Sequence, residues 1–153
     1  MRAFELKIPP AAVFLACAAG MWLLARAFPG GDFELQYAGF LAIAIAGPGL
    51  AVAIIGIRAF RRQSTTVNPL RPDEASAVVS GSIYRFTRNP MYLGLACGVL
   101  AWGVYLRNSA ALSCFVIFVA YMTQFQIKPE ERALQEKFGD EYVSFKSRVR
   151  RWL

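Results

Sequence analysis

Histidine is absent from all 153 residues, and with it go the commonest side-chain acid/base near neutral pH and the commonest metal ligand. Ser-His-Asp and Cys-His catalysis are excluded, as is every zinc site that needs imidazole. Charge is scarce too: 18% of residues are charged against 56% hydrophobic, which excludes a disordered chain and an ordinary soluble domain. Cysteine is limited to Cys17, Cys97 and Cys114, far apart in apolar stretches with no CxxC spacing. They read as small buried hydrophobes, and no metal site is expected. What remains abundant is apolar sequence, and the solvent it implies is lipid.

Charged residues divide that sequence into four apolar windows, at 8–25, 35–57, 89–106 and 108–127. Each has the length that crosses a roughly 30 Å hydrocarbon layer as a helix, and none has the period-two alternation of a barrel strand. The expected fold is an all-α integral membrane protein with four transmembrane helices and a cytoplasmic amphipathic helical tail. A cleaved signal peptide is the rival reading of the first window, but apolar sequence continues through Trp22, Leu23 and Leu24 beyond a cleavage region. Lys and Arg concentrate before the first helix, between the second and third, and after the fourth. Only Arg26 and Arg107 fall on the opposite side, where Asp32 and Glu34 flank the first hairpin loop. Both termini and the central loop are therefore expected in the cytoplasm of a cell bounded by an inner or plasma membrane, with Arg58, Arg61 and Arg62 as interface anchors. The net charge of +7 follows this bias and is not a nucleic-acid footprint. Gly47-Pro48-Gly49 predicts a kink in the second helix.

Two segments outside the membrane are too specific in composition to be simple connectors. In the loop 58–88, Ala77-Val78-Val79, the turn signal Ser80-Gly81-Ser82, and then Ile83, Tyr84 and Phe86 argue for packed structure. In the tail 128–153, Leu134, Phe138, Tyr142, Phe145, Val149 and Trp152 recur at spacings of three and four, which lines one helix face with apolar groups. Gly139-Asp140 reads as a terminating glycine followed by a new N-cap, giving two short helices. The simplest role for this tail is docking on an anionic membrane surface, with Lys146, Arg148, Arg150 and Arg151 facing headgroups. Glu130 and Glu131 also fit a helix's first turn, where they favour the macrodipole.

The densest signal is the run from Tyr84 to Gly94, where the central loop enters the third helix. Asn89 fits an N-cap and Pro90 the first helical position, which leaves the N–H groups of Met91, Tyr92 and Leu93 as expected free donors for a carboxylate or phosphate. Gly94 permits close approach by a ligand or by a neighbouring helix. Tyr84 and Tyr92 are either interfacial-belt rings or the walls of a site. The fourth helix returns to the same boundary, so Glu130 and Glu131 are expected beside this run. One end of such a pocket binds an anion and the other an ammonium, which a zwitterionic amino-acid moiety satisfies.

Ser80-Gly81, Tyr84, Arg88-Asn89-Pro90-Met91-Tyr92-Leu93-Gly94, Glu130-Glu131, Leu134, Phe138-Gly139, Tyr142 and Arg148-Val149 resemble the isoprenylcysteine carboxyl methyltransferase family, to which the phospholipid methyltransferases are similar. The resemblance covers about residues 65 to 152. It implies an integral membrane enzyme that uses S-adenosylmethionine, releases S-adenosylhomocysteine and acts on a lipid or other lipophilic small molecule entering from the bilayer. Carried over by position, Asn89, Pro90, Met91 and Tyr92 contact the methionine part, with Gly94 beside them. Tyr84 and the stretch near Ala77 and Val78 enclose the nucleoside, and Glu130 or Glu131 holds the amino group. Two departures stand out: Asn89 replaces the histidine usual in the family, and an additional residue separates Gly81 from Tyr84. On this reading residues 1–57 form an N-terminal helical pair and residues 58–153 the cofactor-binding core.

Methyl transfer from a sulfonium is an in-line displacement with an activated donor, so alignment is the main requirement and a carboxylate or thiolate acceptor needs no base. Arg88, or a basic residue of the tail, is the candidate for orienting an anionic acceptor headgroup. The alternatives are a nicotinamide-dependent protein resembling the sterol reductases, which have a similar Arg-x-Pro motif, and a non-catalytic membrane adaptor. The acceptor and the oligomeric state are not legible in the sequence.

Overall fold

The computed structural model describes residues 5–63, 70 and 75–153. Parts of the basic N-terminal segment and of the central loop therefore lie outside the described residues. Among those described, the regular structure is helical, with one isolated bridge between Asp32 and Asn108. Helix α1 spans Pro10–Ala27, with a proline at its first position, and ends at a short 3₁₀ turn, Pro29–Gly31. Helix α2 spans Ala38–Arg62 and carries Arg61 and Arg62 in its last turn. Helix α3 spans Pro90–Leu106, and α4 spans Ser109–Tyr121. The side chain of buried Asn108 caps α4 by accepting from the Ala111 N–H at 3.0 Å.

Three helical runs, Pro10–Ala27, Ala38–Arg62 and Ser109–Phe138, are long and apolar enough to cross a membrane. The 17-residue α3 is a shorter apolar helix whose rise is about 25 Å, so three to four helices can span. Their outer faces suit lipid: Phe40 and Ile43 are each 72% exposed, and Val116 and Ile117 each 67%. An apolar surface of this kind would be a liability in water.

Helix α2 continues through Pro48, the residue at which the kink is expected. The flanking glycine serves the contact with α3, because a Cβ on Gly49 would lie 2.4 Å from that of Cys97. Gly94 answers from α3, where a Cβ would lie 2.6 Å from the Gly49 carbonyl oxygen. The α2–α3 pair is thus a close backbone approach built on small residues.

The fourth span also differs from expectation, because α4 does not stop near residue 127. It passes through a π-helical turn, Met122–Ile127, directly into α5, Lys128–Phe138. Pro129 has no N–H to offer the Phe125 carbonyl one turn back, and the Leu6 N–H takes that acceptor at 3.1 Å. Arg132 pairs with Glu5 as well, so the start of the chain and the tail meet at one end of the bundle.

Helix α6, Asp140–Arg148, follows Gly139, whose φ of +53° lies in the glycine-favouring region. Two tail helices are therefore present as expected. Asp140, expected as an N-cap, instead opens the first turn without a side-chain cap, because Gly139 occupies the cap position.

Packing forms two clusters. Met21, Val99, Ala111, Phe118, Met122 and Ile127 join α1, α3 and α4. Val79, Tyr84, Tyr142 and Phe145 form a second cluster at the end of the bundle, packed with Phe60, Leu134, Phe138 and Val149. The apolar stripe of the tail is therefore packed on protein. Two residues depart further from the sequence reading: Arg151 turns inward to Glu131, and the Trp152 indole N–H donates to the Thr123 hydroxyl at 3.2 Å. Val78, Val79, Ile83 and Tyr84 pack as expected of an ordered loop, whereas Phe86 is 66% exposed.

Candidate functional site

The start of α3 is held by the last residues of the chain. The Thr87 hydroxyl, in a residue 1% exposed, accepts from the Asn89 N–H at 3.2 Å and donates to the Arg151 carbonyl at 3.4 Å. Asn89 sits at the N-cap and Pro90 at the first helical position, as expected. The Asn89 side chain does not cap, however: its Nδ2 donates to the Arg151 carbonyl at 2.9 Å. The Arg88 N–H likewise donates to the Arg150 carbonyl at 3.0 Å. Leu93, expected to offer a free N–H, donates it to the Asn89 carbonyl at 2.9 Å, because the fourth helical residue already closes the first turn. Met91 and Tyr92 remain as the backbone donors without an acceptor inside the helix.

Glu130 and Glu131 meet this start from α5, as the return of the fourth span predicts. Their roles divide. The Tyr92 hydroxyl and the Gln126 Nε2 both donate to Glu130 Oε1, the latter at 2.7 Å. Gln126 stands four residues before Glu130, which puts both on one helix face. Glu131 is neutralised by two guanidinium groups: Arg88 Nη2 lies 3.2 Å from its Oε1, and Arg151 donates from Nε to Oε1 at 3.0 Å and from Nη2 to Oε2 at 2.7 Å. Of the two carboxylates read as ammonium acceptors, Glu131 is thus occupied, and Glu130, with neutral donors on Oε1, is the candidate.

Among the described residues, three buried polar atoms have no hydrogen-bond partner: Tyr84 Oη, Arg88 Nε and Arg88 Nη1. The Arg88 side chain is only 8% exposed. Buried donors are nearly always paired, and an orphan costs about 1–3 kcal/mol, more when charged. Burial pushes the Tyr84 hydroxyl well above the usual tyrosine range, and the Glu130 carboxylate adds to the effect. Burial does the same to Tyr142, with Glu131 adding to it. Tyr84 therefore remains a protonated donor. Its ring packs on Phe60 with centroids 5.4 Å apart, so the hydroxyl is held in place without a partner among the described residues.

Tyr84, Arg88, Tyr92, Glu130 and Glu131 are thus brought into one cluster below Pro90. Pro90 is buried against α2, where a Cβ on Gly56 would lie 2.8 Å from its Cγ, and Met91 is partly buried beside the same glycine. Ala77 and Val78 are partly buried in the segment before the 3₁₀ turn Ser82–Arg85, with Val78 packed on the Tyr84 cluster. Gly94 points instead to α2, and its open position is filled by that helix.

Sequence reasoning missed Thr87, Gln126 and Arg151 as parts of the site. Thr87 carried a signal, since a hydroxyl two residues before a helix start accepts from the backbone there. Gln126 carried another in its spacing of four to Glu130. Arg151 carried none, because its partner lies twenty residues away on another element.

A phospholipid methyltransferase family model matches residues 36–141. An uncharacterized protein of Haemophilus influenzae is 51% identical over 63 residues, which is 41% of this chain and 100% of that relative. No solved structure matches the chain significantly.

Proposed function

The chain belongs to the phospholipid methyltransferase family and is a membrane methyltransferase, and on that premise we propose that it moves a methyl group from S-adenosylmethionine to a lipophilic acceptor at the membrane boundary. The observation that carries this reading is the buried edge of Arg88, which has no partner among the described residues beyond its pairing with Glu131, together with the Tyr84 hydroxyl, likewise without a partner there and close enough to feel the Glu130 carboxylate. A buried cation with spare donors and a carboxylate held by neutral groups ask for a ligand with an anion and an ammonium. The amino-acid end of S-adenosylmethionine has both.

Arg88, with the N–H groups of Met91 and Tyr92, holds the carboxylate, and Glu130 holds the ammonium. Tyr92 and Gln126 fix the orientation of Glu130. Glu131 and Arg151 fix Arg88 and keep one guanidinium nitrogen engaged. Tyr84 donates to the nucleoside, with Val78 and Ala77 as the apolar wall. Arg88 was read from sequence as an acceptor-orienting group; its burial supports the cofactor role instead. Bound here, the sulfonium supplies an already activated methyl group, so the remaining task of the protein is alignment. A chain without histidine is suited to a carboxylate or thiolate acceptor, as in isoprenylcysteine carboxyl methyl transfer, because such groups need no base. The distribution of Lys and Arg supports a cytoplasmic site with both termini on that side.

The test is a thermal-shift series on detergent-purified protein with S-adenosylmethionine, S-adenosylhomocysteine and NADPH. Stabilisation by both adenosyl compounds is expected. Stabilisation by NADPH and by neither adenosyl compound would mean nicotinamide chemistry.

A further inference from the structure

At the other end of the bundle, the end of α1, the loop after it, the start of α2 and the end of α3 line an open cavity. Its volume is about 500 Å³, and its walls include Trp22, Arg26, Asp32, Tyr37, Tyr105 and Arg107. The length of α3, about 25 Å, separates it from Asn89 and Pro90, so it has no part in methyl transfer. Arg26 and Arg107 are the two cations that run against the charge bias of the chain, and both line this cavity.

Its electrostatics favour an anion. Two guanidinium groups face one carboxylate, a net of one positive charge, and among the described residues no ion pair joins Asp32 to either arginine. Asp32 is engaged elsewhere, with Nδ2 of the buried Asn108 donating to its Oδ1 at 2.7 Å. Arg26 lies over the Trp22 ring, 4.9 Å from its centroid, and remains exposed.

The backbone adds an independent observation. Four non-glycine residues among those described have positive φ, and two of them, Tyr37 at 61° and Arg107 at 53°, line this cavity. Arg107 occupies the C-cap of α3, a position that glycine fills without strain, with its N–H shared between the Gly103 and Val104 carbonyls. Strain kept at side chains that can meet a phosphate points to a use for those side chains. The surroundings decide where the anion comes from. Leu23, Phe28 and Phe40 are all more than half exposed around the same end, and Trp22 and Tyr105 have the amphipathic rings of a membrane interface.

We propose that this cavity binds the phosphate headgroup of an anionic phospholipid, in the leaflet opposite the methyl-transfer site. Arg26 and Arg107 hold the phosphate, and Trp22 and Tyr105 pack on the glycerol region. The lipid is a resident ligand and not the methyl acceptor, and the proposal stands independently of the cofactor assignment.

Native mass spectrometry of the full chain in detergent, with equal amounts of phosphatidylglycerol and phosphatidylcholine, tests it. The wild type is expected to retain one phosphatidylglycerol under conditions that strip phosphatidylcholine. An Arg26→Gln/Arg107→Gln variant with an unchanged melting temperature should lose that occupancy at least tenfold, while a Lys146→Gln/Arg148→Gln variant at the other end should keep it. As a second variant, Asp32→Asn removes the carboxylate that lines the cavity and should raise retention. Equal retention by the wild type and the double arginine variant would overturn the proposal, as would lower retention by Asp32→Asn. Displacement of the lipid by millimolar inorganic phosphate would also overturn it, by making the occupant a free anion.

Discussion

Arg151 meets Glu131 through two bonds, Nε to Oε1 at 3.0 Å and Nη2 to Oε2 at 2.7 Å, and so fastens the end of the chain to the first turn of α5. Glu131 also faces Arg88, and both of those side chains are 8% exposed, whereas Arg151 is 33% exposed. The carboxylate is therefore the centre of the triad. Removing it strands the buried Arg88 cation, while removing Arg151 leaves the Arg88–Glu131 pair intact. Glu131→Ala should lower stability by about 3 kcal/mol and Arg151→Gln by about 1 kcal/mol, read from unfolding in mixed micelles. Equal losses would contradict this division.

Asn89 acts through its side-chain bond to the Arg151 carbonyl and not as a helix cap. Asn89→Ala should therefore cost about 1 kcal/mol and release the last residues to carboxypeptidase digestion. Asn89→His places the residue usual in the resembling family at this position, and its ring N–H can reach the same carbonyl. It should restore protection. If Asn89→Ala leaves the tail as protected as in the wild type, the strap is held elsewhere.

Tyr84→Phe removes a buried hydroxyl that has no partner among the described residues. The unliganded protein should be unchanged or more stable by about 1 kcal/mol, because an unpaired buried group is a cost. Affinity for S-adenosylhomocysteine should fall about fivefold in calorimetry. A loss of stability without a loss of affinity would assign the hydroxyl a purely structural bond.

Gly94→Ala puts a methyl group 2.6 Å from the Gly49 carbonyl oxygen and 2.7 Å from the Ala53 Cβ, and the helices must separate to admit it. The expected loss is about 1–3 kcal/mol, measured as the unfolding midpoint in detergent. Gly20→Ala is the control: a Cβ there meets nothing within 4 Å, so the variant should be neutral or slightly stabilising.

The spans were legible because lipid demands long apolar helices, and the start of α3 was legible because Asn89 and Pro90 each suit one position there. The convergence of Tyr92 with Glu130 followed from antiparallel α3 and α4. The opposite fates of Glu130 and Glu131 were not legible, because they depend on Arg151 folding back across α5. The apolar stripe of the tail was clear, but its partner was not: the same stripe serves lipid or protein, and only the Tyr84 cluster decides between them. The π-turn at Met122–Ile127 was not read from the sequence; Pro129 just after it explains the Phe125 carbonyl left to Leu6, but a proline at that position fits a new helix start equally well.

Whether Glu130 holds the ammonium of an adenosyl cofactor is decided by calorimetric titration of S-adenosylhomocysteine into wild-type and Glu130→Gln protein. The amide keeps an oxygen for Tyr92 and Gln126 but removes the charge, so the fold should persist and affinity should fall at least tenfold. Binding of equal strength in the two proteins, or none in the wild type, would contradict the account.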